Sequence, residues 1–195
     1  MVYNDNFGRD FWIGNADDIA RARILAGIYD EKLFFDHPSI VAQIDVKDKT
    51  VLDLGCGLGR IVRRVMERGA KKYIGVDFSP TMVERARKIH EDVKNVEFVE
   101  NDGKTIPAGD RTVDIVIAEL LFQHCPKEIS KGYLYEVKRV LKGGGKFIAQ
   151  IPRDITYLGG FSEAELREIF SDCEIGFFDA TLQWYYNIVV TTRGP

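Results

Sequence analysis

Four carboxylates, a histidine and a run of alternating glycines are the groups in this chain whose types and order suggest chemistry. In the stretch VLDLGCGLGR, Val51 to Arg60, Asp53 stands just before Gly55, Gly57 and Gly59. Glycine lacks Cβ and accepts positive φ, so glycines at alternate positions bend the backbone sharply and let a ligand lie against it. Asp77 closes the segment KYIGVDF, 18 residues after Gly59. A carboxylate at that spacing, at the end of a second strand, accepts hydrogen bonds from both ribose hydroxyls of a nucleotide-like ligand. Asp102 and Gly103 lie in an Asn-Asp-Gly turn. Glu119, Leu120 and His124 follow the apolar residues Val113, Ile115, Val116 and Ile117. His124 fits two roles equally well, a loop histidine bonded to backbone or a group that moves a proton at an acceptor.

These residues need an open α/β sheet to bring them together. Val51, Leu52 and Leu54 read as a strand, and Ile61, Val62 and Val65 begin a helix after the glycine turn. Lys72 to Phe78 reads as a second strand. Ser79 is then an N-cap and Pro80 the first residue of a helix extending over Thr81 to Glu91, with Met82, Val83, Ala86 and Ile89 on its apolar face. Val96, Phe98 and Val99 suggest a third strand. The apolar residues Val113, Ile115, Val116 and Ile117 suit a fourth, buried on both faces of a parallel sheet. Tyr133 to Leu141 reads as a helix stopped by Lys142-Gly143-Gly144-Gly145, with a fifth strand over Lys146 to Ile151. Ser162 and Glu165 form a capping-box pattern for a helix reaching Phe170. Glu174 to Phe178 and Trp184 to Thr192 read as the last two strands.

The glycine pattern is GxGxG, whereas a dinucleotide fingerprint is GxGxxG, and Arg60 occupies the place of its third glycine. Asp53 would also meet an approaching pyrophosphate. Both features favour a nucleoside with a cationic, zwitterionic tail and no phosphate. With Asp53, Gly55, Gly57 and Gly59 in place, followed in order by Asp77, Asp102 and Glu119, the chain resembles the class I S-adenosylmethionine-dependent methyltransferases over about residues 50–192. The resemblance implies a Rossmann-like three-layer α/β sandwich. Its seven-stranded, mostly parallel sheet would have the order 3-2-1-4-5-7-6 with the last strand antiparallel. It also implies S-adenosyl-L-methionine as cofactor, with ribose on Asp77, adenine near Asp102 and Gly103, and the methionine tail along Gly55 to Gly59. Asp53, Cys56, Phe78, Met82, Glu119 and Leu120 complete the expected cofactor-binding set, and His124 is the candidate catalytic residue. A small-molecule acceptor is the leading expectation. An RNA or protein methyltransferase and a non-catalytic cofactor-binding partner subunit remain alternatives.

Composition agrees with a single domain of 195 residues, long enough for one sizeable core. A net charge of −3 argues against general nucleic-acid binding, which needs clustered Lys and Arg. Three cysteines, Cys56, Cys125 and Cys173, form no CxxC pair, so neither a zinc site nor a disulfide framework is expected. Cys56 reads as a small buried filler. No run of 18 apolar residues occurs, so no membrane span is expected, and the reading is a cytoplasmic protein. Oligomeric state stays open.

Residues 1–48 carry a different pattern. Asn15 to Tyr29 has helical spacing, and Pro38 to Ile44 suggests a short helix leading to the first strand. With Phe7, Phe11, Trp12, Tyr29, Phe34 and Phe35, this segment reads as an N-terminal helical lid over the cofactor edge. Docking to the core is the simpler role for any one of these aromatics.

Overall fold

The structure is a computed structural model that describes residues 40–154, 160–178 and 184–194. The proposed helix at Asn15 to Tyr29 and the aromatic lid lie outside the described residues. A seven-stranded sheet runs in the order β3-β2-β1-β4-β5-β7-β6. Its strands are β1 (Thr50–Leu54), β2 (Lys72–Asp77), β3 (Val96–Glu100), β4 (Val113–Ala118), β5 (Leu141–Pro152), β6 (Cys173–Phe178) and β7 (Tyr185–Thr192). β3, β2, β1, β4 and β5 pair in parallel. β7 is antiparallel to both β5 and β6. This is the expected fold.

Two apolar layers follow from the two-residue period of the strands. Leu52, Leu54, Val116, Ala118, Phe147 and Ala149 face one layer, with α3 (Lys127–Val140) and α4 (Glu163–Ile169) packed on it. Val51, Ile115, Ile117 and Ile148 face the other, under α1 (Val62–Glu67) and α2 (Pro80–Ile89). Each such fully buried side chain contributes about 1.5–3 kcal/mol before the entropy cost of ordering it. A 3-10 turn at Ile40–Gln43 precedes β1. Ile40, Val41, Ile44 and Val46 are buried in the second layer, so this end of the N-terminal segment is docked on the sheet.

Local signals explain several boundaries. The Ser79 side chain accepts from the Met82 N–H, with Pro80 at the first position of α2. Ser162 and Glu165 form the full reciprocal capping box of α4. Two expected boundaries need correction. α3 begins at Lys127, six residues before Tyr133, because Pro126 serves as its N-cap and Gly132 is carried inside the helix. β5 begins at Leu141, directly after α3. Leu141 pairs with Val113 and Lys146 with Ile115, so the Gly143 to Gly145 run is a bulge within the strand and not a loop before it. Among the described residues no helix is long and apolar enough to cross a membrane.

Candidate functional site

β1 is the middle strand of its parallel neighbours, and its carboxyl end releases the glycine loop at the edge where open α/β sheets bind ligands. Gly55, Gly57 and Gly59 all have positive φ, at 74°, 52° and 79°. The N–H groups of Gly55 and Cys56 both donate to the Val76 carbonyl, which fastens the loop to the end of β2. A Cβ on Gly59 would stand 2.8 Å from His90 Nε2 and 2.9 Å from Val62 Cγ2, whereas one on Gly57 would meet nothing within 4 Å. The loop is therefore packed behind and open in front. Gly57→Ala is expected to fold at a cost of about 1–2 kcal/mol for the left-handed φ and to obstruct the open side. Gly59→Ala adds steric overlap of about 1–3 kcal/mol and is expected to melt well below Gly57→Ala. Thermal melts and cofactor calorimetry on the pair separate these effects. Parental affinity in Gly57→Ala would place the ligand elsewhere.

Asp77, at the end of β2, is more deeply built in than a surface strand-end acid. Its Oδ2 accepts from the Gly57 N–H at 2.9 Å and its Oδ1 from the Ser79 N–H at 2.9 Å. Burial raises its pKa, against the lowering effect of these backbone bonds. Asp77 therefore holds the glycine loop to the start of α2 as well as standing at the ligand edge. Each carboxylate oxygen has two lone pairs, and with the Ser79, Gly57 and Phe78 N–H groups on them the carboxylate keeps capacity for a further donor.

Asp53 lies beneath the loop on the α1 and α2 face and is 5% exposed. Tyr73 is diagonal to it across β1 and β2, since Val51 pairs with Tyr73 and Asp53 with Gly75. The Tyr73 hydroxyl donates to Asp53 Oδ2 at 2.5 Å. Burial pushes the Asp53 carboxyl up to about 7, opposed by the Tyr73 hydrogen bond and the Arg60 charge and assisted by Glu119 and Asp77. Arg60 and Glu119 form an ion pair at 2.8 Å with side chains only 13% and 6% exposed. Glu119 Oε1 also accepts from the Ile40 N–H at 3.3 Å. Three carboxylates against one guanidinium thus surround the loop.

Because the folded value of Asp53 exceeds its ordinary 3.8, the folded chain keeps a proton that the unfolded chain releases. Its contribution falls as pH rises from about 4 to about 7 and is level above that range. Asp53→Asn keeps an acceptor for Tyr73 and removes the buried charge. It is expected to raise unfolding stability at pH 8 by about 1–3 kcal/mol while weakening cofactor binding. Urea unfolding at pH 5 and pH 8 checks this, and a gain equal at both would disprove the assigned cause.

The β4 exit completes this edge. Leu121 packs behind the loop, where a Cβ on Gly55 would come 2.8 Å from its Cδ1. Leu120 is thrown outward at φ 59° and is 48% exposed, an apolar rim in a backbone region that costs about 1–2 kcal/mol. On the β2–β3 side Asn101 donates its N–H to the Asp77 carbonyl, and Gly103 sits against Phe78, 3.8 Å from its Cβ were a Cβ present. Asp102 is exposed, and its Oδ1 accepts from the N–H groups of Lys104 and Thr105 and the Thr105 hydroxyl, which hold its pKa down. Met82 is buried on α2.

His124 is exposed on the 3-10 turn Phe122–His124 after β4. Burial and the nearby charge of Asp77 push the neighbouring Cys125 thiol up to about 12. Cys56 is buried, and burial raises its thiol well above the usual range. Neither cysteine is an activated nucleophile. Among the described residues no group of three or more His, Cys, Asp or Glu side chains is arranged to hold a metal ion.

The geometry fits an S-adenosylmethionine-type ligand. The open front of Gly57 admits backbone approach, Asp77 retains acceptor capacity, and the excess of carboxylates suits a cation and disfavours a pyrophosphate. Comparison with known proteins gives the same answer. Residues 51–145 match the family described as "Methyltransferase domain". The chain is 35% identical over 103 residues to a ribosomal protein L11 methyltransferase of Clostridium botulinum, covering 52% of this chain and 31% of that one. It is 29% identical over 148 residues to a fatty-acid O-methyltransferase of Mycolicibacterium smegmatis, covering 74% of this chain and 48% of that one. The chain thus spans about a third to a half of the length of these curated relatives. In fold it resembles a chain of the Haloferax volcanii complex between the Trm112 methyltransferase activator and a methyltransferase. That match has a TM-score of 0.69 at 22% identity and covers 91% of this chain and 96% of that one. Together, the glycine loop, the ordered acids and the sheet topology agree with the match of residues 51–145 to the methyltransferase domain family, and the chain is similar to the class I S-adenosylmethionine-dependent methyltransferases.

Proposed function

We propose that this chain transfers a methyl group from S-adenosylmethionine to a small-molecule acceptor with an apolar part. The observation that carries this reading is the β4 exit, where exposed Leu120 forms an apolar rim beside the glycine loop and the Arg60–Glu119 pair. The alignment with the fatty-acid O-methyltransferase, which extends over 148 residues, supports it. The bound cofactor supplies an activated methyl on a sulfonium, ready for in-line displacement.

The protein's share is binding, orientation and exclusion of water. Asp77 orients the ribose with its remaining acceptor capacity while its other lone pairs hold the loop. The Gly57 backbone gives the tail close approach. Phe78 and Gly103 border the base, with Asp102 at its edge and Met82 behind. Glu119 fixes Arg60 beside the loop. His124, at the same sheet edge, takes the proton an acceptor must lose before or during attack. The single domain with an N-terminal segment covering the cofactor edge belongs to this proposal, as does a cytoplasmic setting.

A cofactor-dependent methylation screen against metabolite, protein and RNA fractions tests it, read as a mass increase of about 14 in one component. A modified metabolite supports the proposal. A modified protein or RNA replaces it with the macromolecular reading, which the ribosomal protein L11 methyltransferase relative favours. No modification unless a partner protein is added would replace it with an activator-dependent subunit.

A further inference from the structure

Among the described residues, the buried Tyr73 has no part in the expected cofactor set. Tyr73 is completely buried, yet it sends its hydroxyl to Asp53 and not to backbone or solvent. A buried tyrosine needs only one partner for its hydroxyl, and many would serve. Here the partner is Asp53, a buried carboxylate at the end of the strand that releases the glycine loop. Gly75, opposite Asp53, makes room for the Phe98 ring and Cys56, since a Cβ there would strike Phe98 at 2.6 Å and Cys56 Sγ at 2.9 Å. The ring itself is held edge-on to Phe98, with centroids 6.0 Å apart.

We propose that Tyr73 is a positioning residue that holds Asp53 as the charge-selective group of the site, favouring the sulfonium cofactor over the neutral thioether left after transfer. This rests on the cofactor reading above. The two ligands differ by one methyl and one positive charge, and share the same nucleoside, amino and carboxylate groups. A site lined only by neutral groups and hydrogen bonds would separate them by the methyl alone. A buried carboxylate separates them by charge, and burial makes that interaction stronger than it is in water.

The charged and titratable groups facing Asp53 are Tyr73 and Asp77 on β2, Arg60 at the start of α1, Glu119 after β4, and Cys56 in the loop. Arg60 is committed to Glu119 at 2.8 Å. Asp53 therefore gains a net positive neighbour when the sulfonium binds and loses it after transfer. Burial pushes its carboxyl up to about 7. Sulfonium binding favours the carboxylate, and the thioether permits the protonated acid. Discrimination between the two ligands should consequently grow as pH rises through about 7.

The test is calorimetry of S-adenosylmethionine and S-adenosylhomocysteine binding to the full chain from pH 5.5 to 9. The ratio of their dissociation constants removes the titration that the two ligands share. The ratio of the thioether's constant to the sulfonium's is expected to rise about tenfold across a midpoint near 7. In Tyr73→Phe, which keeps the ring, that midpoint should move up by about one pH unit, because the hydroxyl favours the ionised acid. In Asp53→Asn the ratio should not change with pH. A Tyr73→Phe protein with weaker binding at every pH and an unmoved midpoint assigns Tyr73 to packing alone and overturns the proposal. A flat ratio in the parent overturns it too. If Tyr73→Phe does not fold, a parental rise that persists in Asp53→Asn overturns it. Absence of binding by either ligand to the parent defeats instead the cofactor reading on which the proposal stands.

Discussion

Asp77→Ala is expected to cost both cofactor affinity and fold stability. Loss of a charged acceptor should weaken S-adenosylmethionine binding by about 1.5–3 kcal/mol. The same substitution leaves the Gly57 and Ser79 N–H groups without their acceptor. Each unpaired donor costs about 1–3 kcal/mol where water cannot reach it. Asp77→Asn retains one carbonyl oxygen and should recover part of the stability but little of the affinity. Urea unfolding and calorimetry on both variants check the two effects separately. Unchanged affinity in a folded Asp77→Ala protein would remove Asp77 from the cofactor site. Tighter binding of NAD than of S-adenosylmethionine by the parent would overturn the whole ligand assignment.

His124→Ala is expected to lower turnover by about 10²–10⁴-fold with cofactor affinity nearly intact, the range for loss of a general base. Its exposure after β4 leaves it open to solvent and acceptor. Single-turnover rates with the acceptor found by the screen decide the point. A small loss confined to acceptor KM would make His124 a shaping residue and leave proton removal to solvent.

The elements were legible where one short-range rule decided them. Ser79-Pro80 and Ser162 with Glu165 are helix starts set by residues three or fewer positions apart, and both formed as read. The strand order came from the family resemblance, because nothing in seven apolar segments states which lies beside which. The glycine loop and Asp77 were legible as motif, but the bond between them spans 20 residues and appears only once β1 and β2 pair. Tyr73 was missed for the same reason. Its hydroxyl reaches Asp53 across 20 residues of sequence, and nothing local to Tyr73 names that partner. Arg60 was seen only as a departure from a dinucleotide pattern, since its partner Glu119 arrives from the far side of β1. α3 was placed too late because the turn after Pro126 carries Lys127, Glu128 and Lys131, whose polarity hides the helical period.

β7 lies inside the sheet although it comes last in sequence among the described strands. Until Tyr185–Thr192 is made, β5 has an unpaired edge and β6 has no neighbour on which to form. At about 5–20 residues per second, synthesis from Pro152 to Tyr185 takes roughly 2–7 s. During that interval the nascent chain presents the apolar edge of Phe147, Ile148 and Ile151, a template for another chain's strand. Whatever shields the growing polypeptide must therefore act late in translation, after the cofactor corner has been synthesised and before the sheet can close.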